Sequence, residues 1–174
     1  TMALGDFNGD GRLDLVTANL TSNTVSVRLG TGTGTFPARV DYAVGAAPFG
    51  MSVTDVNGDG RLDVVVSNIT PNNVSVLLGT GSGTFLAATN YAVGTSPYDV
   101  AVGDFDGDGH ADMVSANYGT TTLSVLLSTS TGGDCPADVV VPAGTECRAA
   151  AAGGCDVPET FTGSNTCPIN VFQP

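Results

Sequence analysis

Asp6-Phe-Asn-Gly-Asp-Gly-Arg-Leu-Asp14 sets an oxygen-bearing side chain at its first, third, fifth and ninth positions. The pattern returns as Asp55-Val-Asn-Gly-Asp-Gly-Arg-Leu-Asp63 and again as Asp104-Phe-Asp-Gly-Asp-Gly-His-Ala-Asp112. Oxygens at the first, third and fifth positions, with Gly at the sixth, open a calcium loop of the EF-hand type. Gly permits the tight curl that makes alternate side chains converge on one point. The seventh position offers its backbone carbonyl and the ninth a further carboxylate. The expected ligands are Asp6, Asn8, Asp10, the Arg12 carbonyl and Asp14. In the second loop they are Asp55, Asn57, Asp59, the Arg61 carbonyl and Asp63. In the third they are Asp104, Asp106, Asp108, the His110 carbonyl and Asp112. An all-oxygen set with three or four negative charges suits Ca2+ better than octahedral Mg2+, so about three calcium ions are expected, one per loop. The competing reading is an Asx/Gly-rich turn that binds nothing. It leaves like-charged carboxylates crowded within one turn, where they repel without a cation.

These are not EF-hands. The twelfth position, where a bidentate Glu belongs, holds Thr17, Val66 and Ser115. Apolar β-type sequence follows each loop, with no helical periodicity. The loops must therefore sit between strands. They recur with a step of 49 residues, and other landmarks keep that step. Gly30-Thr-Gly-Thr-Gly-Thr-Phe36 matches Gly79-Thr-Gly-Ser-Gly-Thr-Phe85, and Tyr42-Ala-Val-Gly45 matches Tyr91-Ala-Val-Gly94. Each repeat reads as about four strands. One runs into the acidic loop (51–54, 99–102) and one leaves it (13–18, 62–67, 111–116). A third alternates polar and apolar residues (25–29, 74–78, 123–127), the mark of a half-buried strand. A fourth covers 40–44 and 90–93. The Gly/Thr runs between the third and fourth are hairpin turns. Four strands in 40–50 residues is the size of a propeller blade.

The loop, the 49-residue step and the Val-Ser-Val-Leu-Leu-Gly-x-Gly-x-Gly-Thr-Phe run resemble FG-GAP/VCBS repeats. These are the blades of integrin-α-like β-propellers and of many bacterial surface proteins. The resemblance covers residues 1 to about 131 and implies calcium at the same loop positions. It departs from the family in length, because such propellers close with about seven blades. The first repeat here lacks the upstream half of its incoming strand. The third lacks the Gly-Thr-Phe turn and the Tyr-Ala-Val-Gly strand, so its outer edge is expected to be open.

Composition changes at a Ser/Thr/Gly linker, giving a β-repeat region at 1–131 and a tail at 132–174. All four Cys lie in the tail: Cys135, Cys147, Cys155 and Cys167. No C-x-x-C pair suggests zinc. An even number in a loop-rich segment reads as two disulfides formed in an oxidising compartment, with the pairing open among three possibilities. The run Ala143-Gly-Thr-Glu-Cys-Arg148, Cys155-Asp-Val-Pro-Glu159 and Cys167-Pro168 resembles the C-terminal part of a disintegrin-like module. Phe161 stands where that module has Cys, and no Arg-Gly-Asp is present. A disulfide-stapled extension is the simpler expectation.

The chain of 174 residues carries 17 acidic residues against five Arg and no Lys, a net charge of −12. That balance argues against nucleic acid and anionic membranes. No apolar run approaches the ~18 residues of a membrane span. Thr1 begins inside a repeat, so any leader would lie upstream. The single His lies in a calcium loop, which removes Ser-His-Asp and Cys-His arrangements. The carboxylates outside the loops show no acid–base pairing. Sequons begin at Asn19, Asn68 and Asn73. The sequence thus predicts an all-β chain of about three four-stranded antiparallel repeats, each like a propeller blade, with a small stapled extension. Its expected place is extracellular or at the cell surface, as a structural or adhesion protein without catalytic activity. Its expected partners are other copies of itself, cell-surface proteins or glycans. Two alternatives are a self-assembling filament or sheet subunit with blades completed by neighbouring chains, and a non-catalytic fragment of a larger secreted enzyme.

Overall fold

The computed structural model describes residues 1–128 and the backbone of 170–172. All regular structure among these residues is β, in three sheets. The first holds β1 (Met2–Gly5), β2 (Asp14–Asn19), β3 (Thr24–Arg28) and β4 (Val40–Ala43) in that order. The second holds β5 (Pro48–Thr54), β6 (Asp63–Asn68), β7 (Asn73–Leu77) and β8 (Thr89–Ala92). The third holds β9 (Pro97–Gly103), β10 (Asp112–Asn117), β11 (Thr122–Ser128) and, outermost, β12 (Asn170–Phe172). Strands 1–11 pair antiparallel with their sequence neighbours within each sheet. The three sheets are successive blades, and β5 lies against both β1 and β9. Among the described residues no helix is long and apolar enough to cross a membrane.

Two expectations are corrected. The incoming strands begin earlier than the sequence predicts, at Pro48 and Pro97, with a register shift after each. Pro at the first residue of a strand gives up no ladder hydrogen bond. The outer edge of the third blade is not open. Asn170–Phe172 pairs with β11 in parallel, with Leu126, Leu127 and Ser128 opposite Asn170, Val171 and Phe172. This blade is therefore mixed rather than antiparallel. Unpaired backbone groups at a sheet edge accept any extended segment, so no repeat landmark identifies the strand that fills the place. The four Cys and the disintegrin-like pattern lie outside the described residues.

Pleating decides where each apolar residue goes. In β6 all six residues are buried, yet successive side chains point to opposite faces. Val64 and Val66 join Val16, Val25 and Val27 of the first blade in one core. Val65, with Val74 and Val76, faces Val100, Met113 and Leu126 of the third blade in a second core. The middle blade is thus apolar on both faces and covered on both. The loop from Gly79 to Phe85 reaches back over the first blade. Phe85 packs edge-on to Phe7 and Tyr42, with ring centroids 5.4 and 5.5 Å apart. Gly83 N donates to Phe7 O, and Phe85 N donates to the Tyr42 hydroxyl.

A polar chain crosses each blade at the end far from the acidic loops. Asn68 Nδ2 donates to Asn73 Oδ1 at 2.8 Å and to Ser75 Oγ at 2.7 Å. Asn68 is fully buried. Its amide nitrogen, where a glycan would be attached, is thus committed inside the fold. Replacing Leu77, buried between the first two blades, with Ala should lower the unfolding free energy in urea by about 2–5 kcal/mol. Leu86→Ala, at an exposed position, should stay within about 0.5 kcal/mol.

Candidate metal centres

Each acidic loop joins the first and second strands of a blade: β1 to β2, β5 to β6 and β9 to β10. The first Asp of each loop gathers the backbone around itself. Asp6 Oδ1 accepts the Gly9 and Asp10 amides at 2.8 and 3.1 Å, and its Oδ2 accepts Gly11 at 2.8 Å. Asp55 accepts Gly58, Asp59 and Gly60 in the same way, and Asp104 accepts Gly107 and Gly109. The two Gly of each loop adopt the left-handed backbone, as at Gly9 (φ 74°) and Gly11 (φ 79°), a conformation costly for any residue with a Cβ. The space around both is open, so the demand is on the backbone alone.

The third and fifth positions continue the curl. Asn8 Oδ1 accepts the Asp10 amide at 3.0 Å, and Asp10 Oδ1 accepts the Arg12 amide at 2.9 Å. The same bonds recur from Asn57 to Asp59 and Arg61, and from Asp106 to Asp108 and His110. In the third loop, carboxylate oxygens of Asp104, Asp106 and Asp108 all lie within 4.8 Å of one another, exposed to solvent. The first two loops have Asn8 and Asn57 at the middle position. There the guanidinium groups of Arg12 and Arg61 approach Asp10 and Asp59 at 3.5 and 3.4 Å. The third loop has Asp106 in the Asn position and His110 in the Arg position, so it carries one more carboxylate and one fewer fixed cation.

The ninth-position residues behave differently. Asp14, Asp63 and Asp112 are fully buried and stand at the heads of β2, β6 and β10. Each clamps two backbone segments. Asp14 Oδ2 accepts Phe7 N at 2.9 Å and its Oδ1 accepts Gly30 N at 2.7 Å. Asp63 holds Val56 and Gly79, and Asp112 holds Phe105 and Ser128. Sequence reasoning missed this structural role. Its signal was the fixed position of the residue at the start of each outgoing strand. A carboxylate has about four lone-pair sites, so two amide bonds leave capacity for a cation.

Asp63 and Asp6 are shifted in opposite directions. Burial pushes Asp63 above the usual carboxylate range, against the pull of the Gly79 and Val56 amides, and the charges of Asp59 and Asp55 add to the rise. The Gly11 amide, helped by those of Gly9, Asp10 and Asn8, holds Asp6 below its usual value despite some desolvation. Without a cation the two act in opposite senses. The raised Asp63 disfavours the fold at neutral pH, and that penalty is relieved as pH falls through its folded value. The lowered Asp6 favours the fold above its unfolded value, and that contribution is lost as pH falls through its folded value. The donor set fits a hard divalent cation: oxygens only, clustered, and with more negative charge than the local Arg residues neutralise.

Consecutive four-stranded blades, each with an oxygen-rich loop between its first two strands, define a class of β-repeat protein. The chain belongs to the FG-GAP-like repeat family, whose profile matches residues 6–66 and again 55–115. Each match runs from the first Asp of one loop into the outgoing strand of the next repeat, so it bridges a blade boundary. No curated protein matches the chain.

Substitution should separate clamp from loop. Asp63→Ala strands two buried amides at about 1–3 kcal/mol each, offset in part by removal of a buried charge. A net loss of about 1–3 kcal/mol is expected in urea melts with chelator present. Asp59→Asn, at an exposed loop position, should leave the chelated melt within about 0.5 kcal/mol of wild type.

Proposed function

We infer that this chain is an extracellular, calcium-stabilised β-repeat scaffold, structural or adhesive rather than catalytic. The observation that carries the reading is the convergence of three carboxylates in the third loop, where His110 replaces the Arg of the other two loops. Calcium supplies the missing positive charge and links the two ends of each loop. At a dissociation constant of ~10⁻⁴ M, millimolar calcium stabilises the fold by about 1.4 kcal/mol per ion through mass action. Affinity in such loops rises with ligand charge, so the third loop binds first.

A surface suited to partners lies at the other end of the blades. The acidic loops follow the C-terminal ends of β5 and β9, whereas Phe49 and Tyr98 sit near the starts of those strands. Tyr118, just after β10, joins them. Tyr98 stacks between Phe49 and Tyr118 with ring centroids 4.9 and 4.8 Å away. All three rings are exposed. Exposed, clustered aromatics suit a protein or glycan partner better than bulk water.

Thorough chelation should lower the melting temperature by on the order of 10 °C. An unchanged calorimetric melt would overturn the calcium reading. Protons compete for the same carboxylates, so the calcium-induced rise in Tm should shrink between pH 7 and about pH 5. For the partner surface, Tyr98→Ala with Tyr118→Ala should abolish retention on cell-surface glycans or proteins while leaving the calcium response intact. Undiminished retention by the double variant would remove the aromatic cluster from the reading.

A further inference from the structure

Asn-Gly dipeptides occur at Asn8-Gly9 and Asn57-Gly58, and both lie in acidic loops. Every other Asn is followed by a residue with a side chain. An Asn that precedes Gly is able to react with its own backbone. The Gly nitrogen loses its proton to solvent base and attacks Cγ of the Asn. The new N–C bond closes a five-membered imide. The side-chain nitrogen takes a proton from solvent and leaves as ammonia. Water then opens the imide at one carbonyl or the other, giving aspartate or isoaspartate. The net change is amide and water to carboxylate and ammonium, with no redox step. A Cβ on the second residue would crowd the attack, and Gly has none.

Solvent reaches both places. Gly9 and Gly58 are exposed, and a Cβ at either would meet nothing within 4 Å. The restraint on the reaction is the curl of the loop itself. Gly9 N donates to Asp6 Oδ1 at 2.8 Å, and Gly58 N donates to Asp55 Oδ1 at 2.8 Å. The proton that must leave therefore points at a carboxylate, and its removal would set two negative charges side by side. The Asn side chain is held as well. Asn8 Oδ1 accepts Asp10 N at 3.0 Å, and its Nδ2 donates to Asp10 Oδ2 at 3.2 Å. Asn57 makes the same pair of bonds with Asp59, at 3.1 and 3.2 Å. The third loop already carries one product of the reaction. Asp106 stands at the equivalent position, and its Oδ1 accepts Asp108 N at 3.1 Å. The curl thus accommodates aspartate there. Isoaspartate adds a methylene to the main chain and lengthens the turn.

We propose that Asn8 and Asn57 are sites of spontaneous deamidation, and that Asp6 and Asp55 guard them by holding the Gly9 and Gly58 amides. The guard works only while the loop is curled. Each opening of the loop frees the amide and the Asn side chain together, and the reaction proceeds from the open loop. Conversion adds one negative charge to the loop. The first and second loops then carry carboxylates at the positions where the third has Asp104, Asp106 and Asp108. The third loop has no Asn to convert. The charge of the first two loops therefore records the time they have spent open.

The test is peptide mass spectrometry of the full chain after incubation at mildly alkaline pH with chelator, either folded in buffer or unfolded in urea. Each conversion adds about 1 Da to its peptide. In the folded chain, Asn8 and Asn57 should convert ahead of every other Asn, yet about tenfold or more slowly than in urea, because only open loops react. Asp6→Ala should speed conversion at Asn8 severalfold and leave Asn57 at its wild-type rate. Asp55→Ala should do the reverse. In each variant the untouched site, with circular dichroism, reports that the chain is folded. If Asp6→Ala unfolds the chain, Asp6→Asn replaces it, removing the charge while keeping an acceptor, with the same site-selective gain expected. Equal rates in buffer and urea overturn the proposal. So does a folded variant whose two sites convert alike, or conversion of another Asn ahead of these two. Chelator is present throughout, so the inference stands apart from the calcium reading, whose failure would appear as a melt insensitive to chelation.

Discussion

A sheet that is apolar on both faces needs a neighbour on each, and this constraint organises the molecule. β6 shows it most directly. Its three consecutive valines cannot share one core, because pleating sends Val65 opposite to Val64 and Val66. The second blade is consequently held between the other two. Burial of this kind is the main source of stability in a chain with so few aromatics. Three of the aromatics, Phe7, Tyr42 and Phe85, meet where a loop of one blade closes over its neighbour.

The acidic residues divide into two groups by depth. The outer group curls around a point near solvent and presents oxygens to it. The inner group, Asp14, Asp63 and Asp112, ties each acidic loop to the chain at or just after the end of the third strand of the same blade. A buried carboxylate is costly unless its oxygens are hydrogen-bonded, and here both oxygens are. The clamp thus connects the cores to the loops. The charges of Asp59 and Asp55 reach Asp63 and help to raise it. The clamp and the blade packing thus act on the same backbone segments, Val56 and Gly79 in the second blade.

The two ends of the blades have different chemistry for a related reason. The acidic end is made by loops that must curl, and Gly and Asp satisfy that demand. The far end is made by strand starts and tight turns. There Phe49 of the second blade meets Tyr98 and Tyr118 of the third. The buried Asn68 shows that a surface motif in sequence is not always a surface in the fold. Its side chain completes a polar chain with Asn73 and Ser75 that the backbone turn requires.

Much of this was legible in the amino-acid order. The 49-residue step, the four strands per repeat and the oxygen pattern of the loops are local or periodic features. Local features are set by φ preference and by alternation along the strand, which any single segment records. Three matters were decided only by the tertiary structure. Which valine faces which blade depends on register and on the neighbour present. Whether an Asp acts as a loop oxygen or as a buried clamp depends on what folds over it, and Asp10 and Asp14 look alike in sequence. The strand that closes the third blade is chosen by backbone pairing, which is blind to side-chain pattern. Contacts between distant segments carry no local signature, because the groups that make them are brought together only when the chain is already folded.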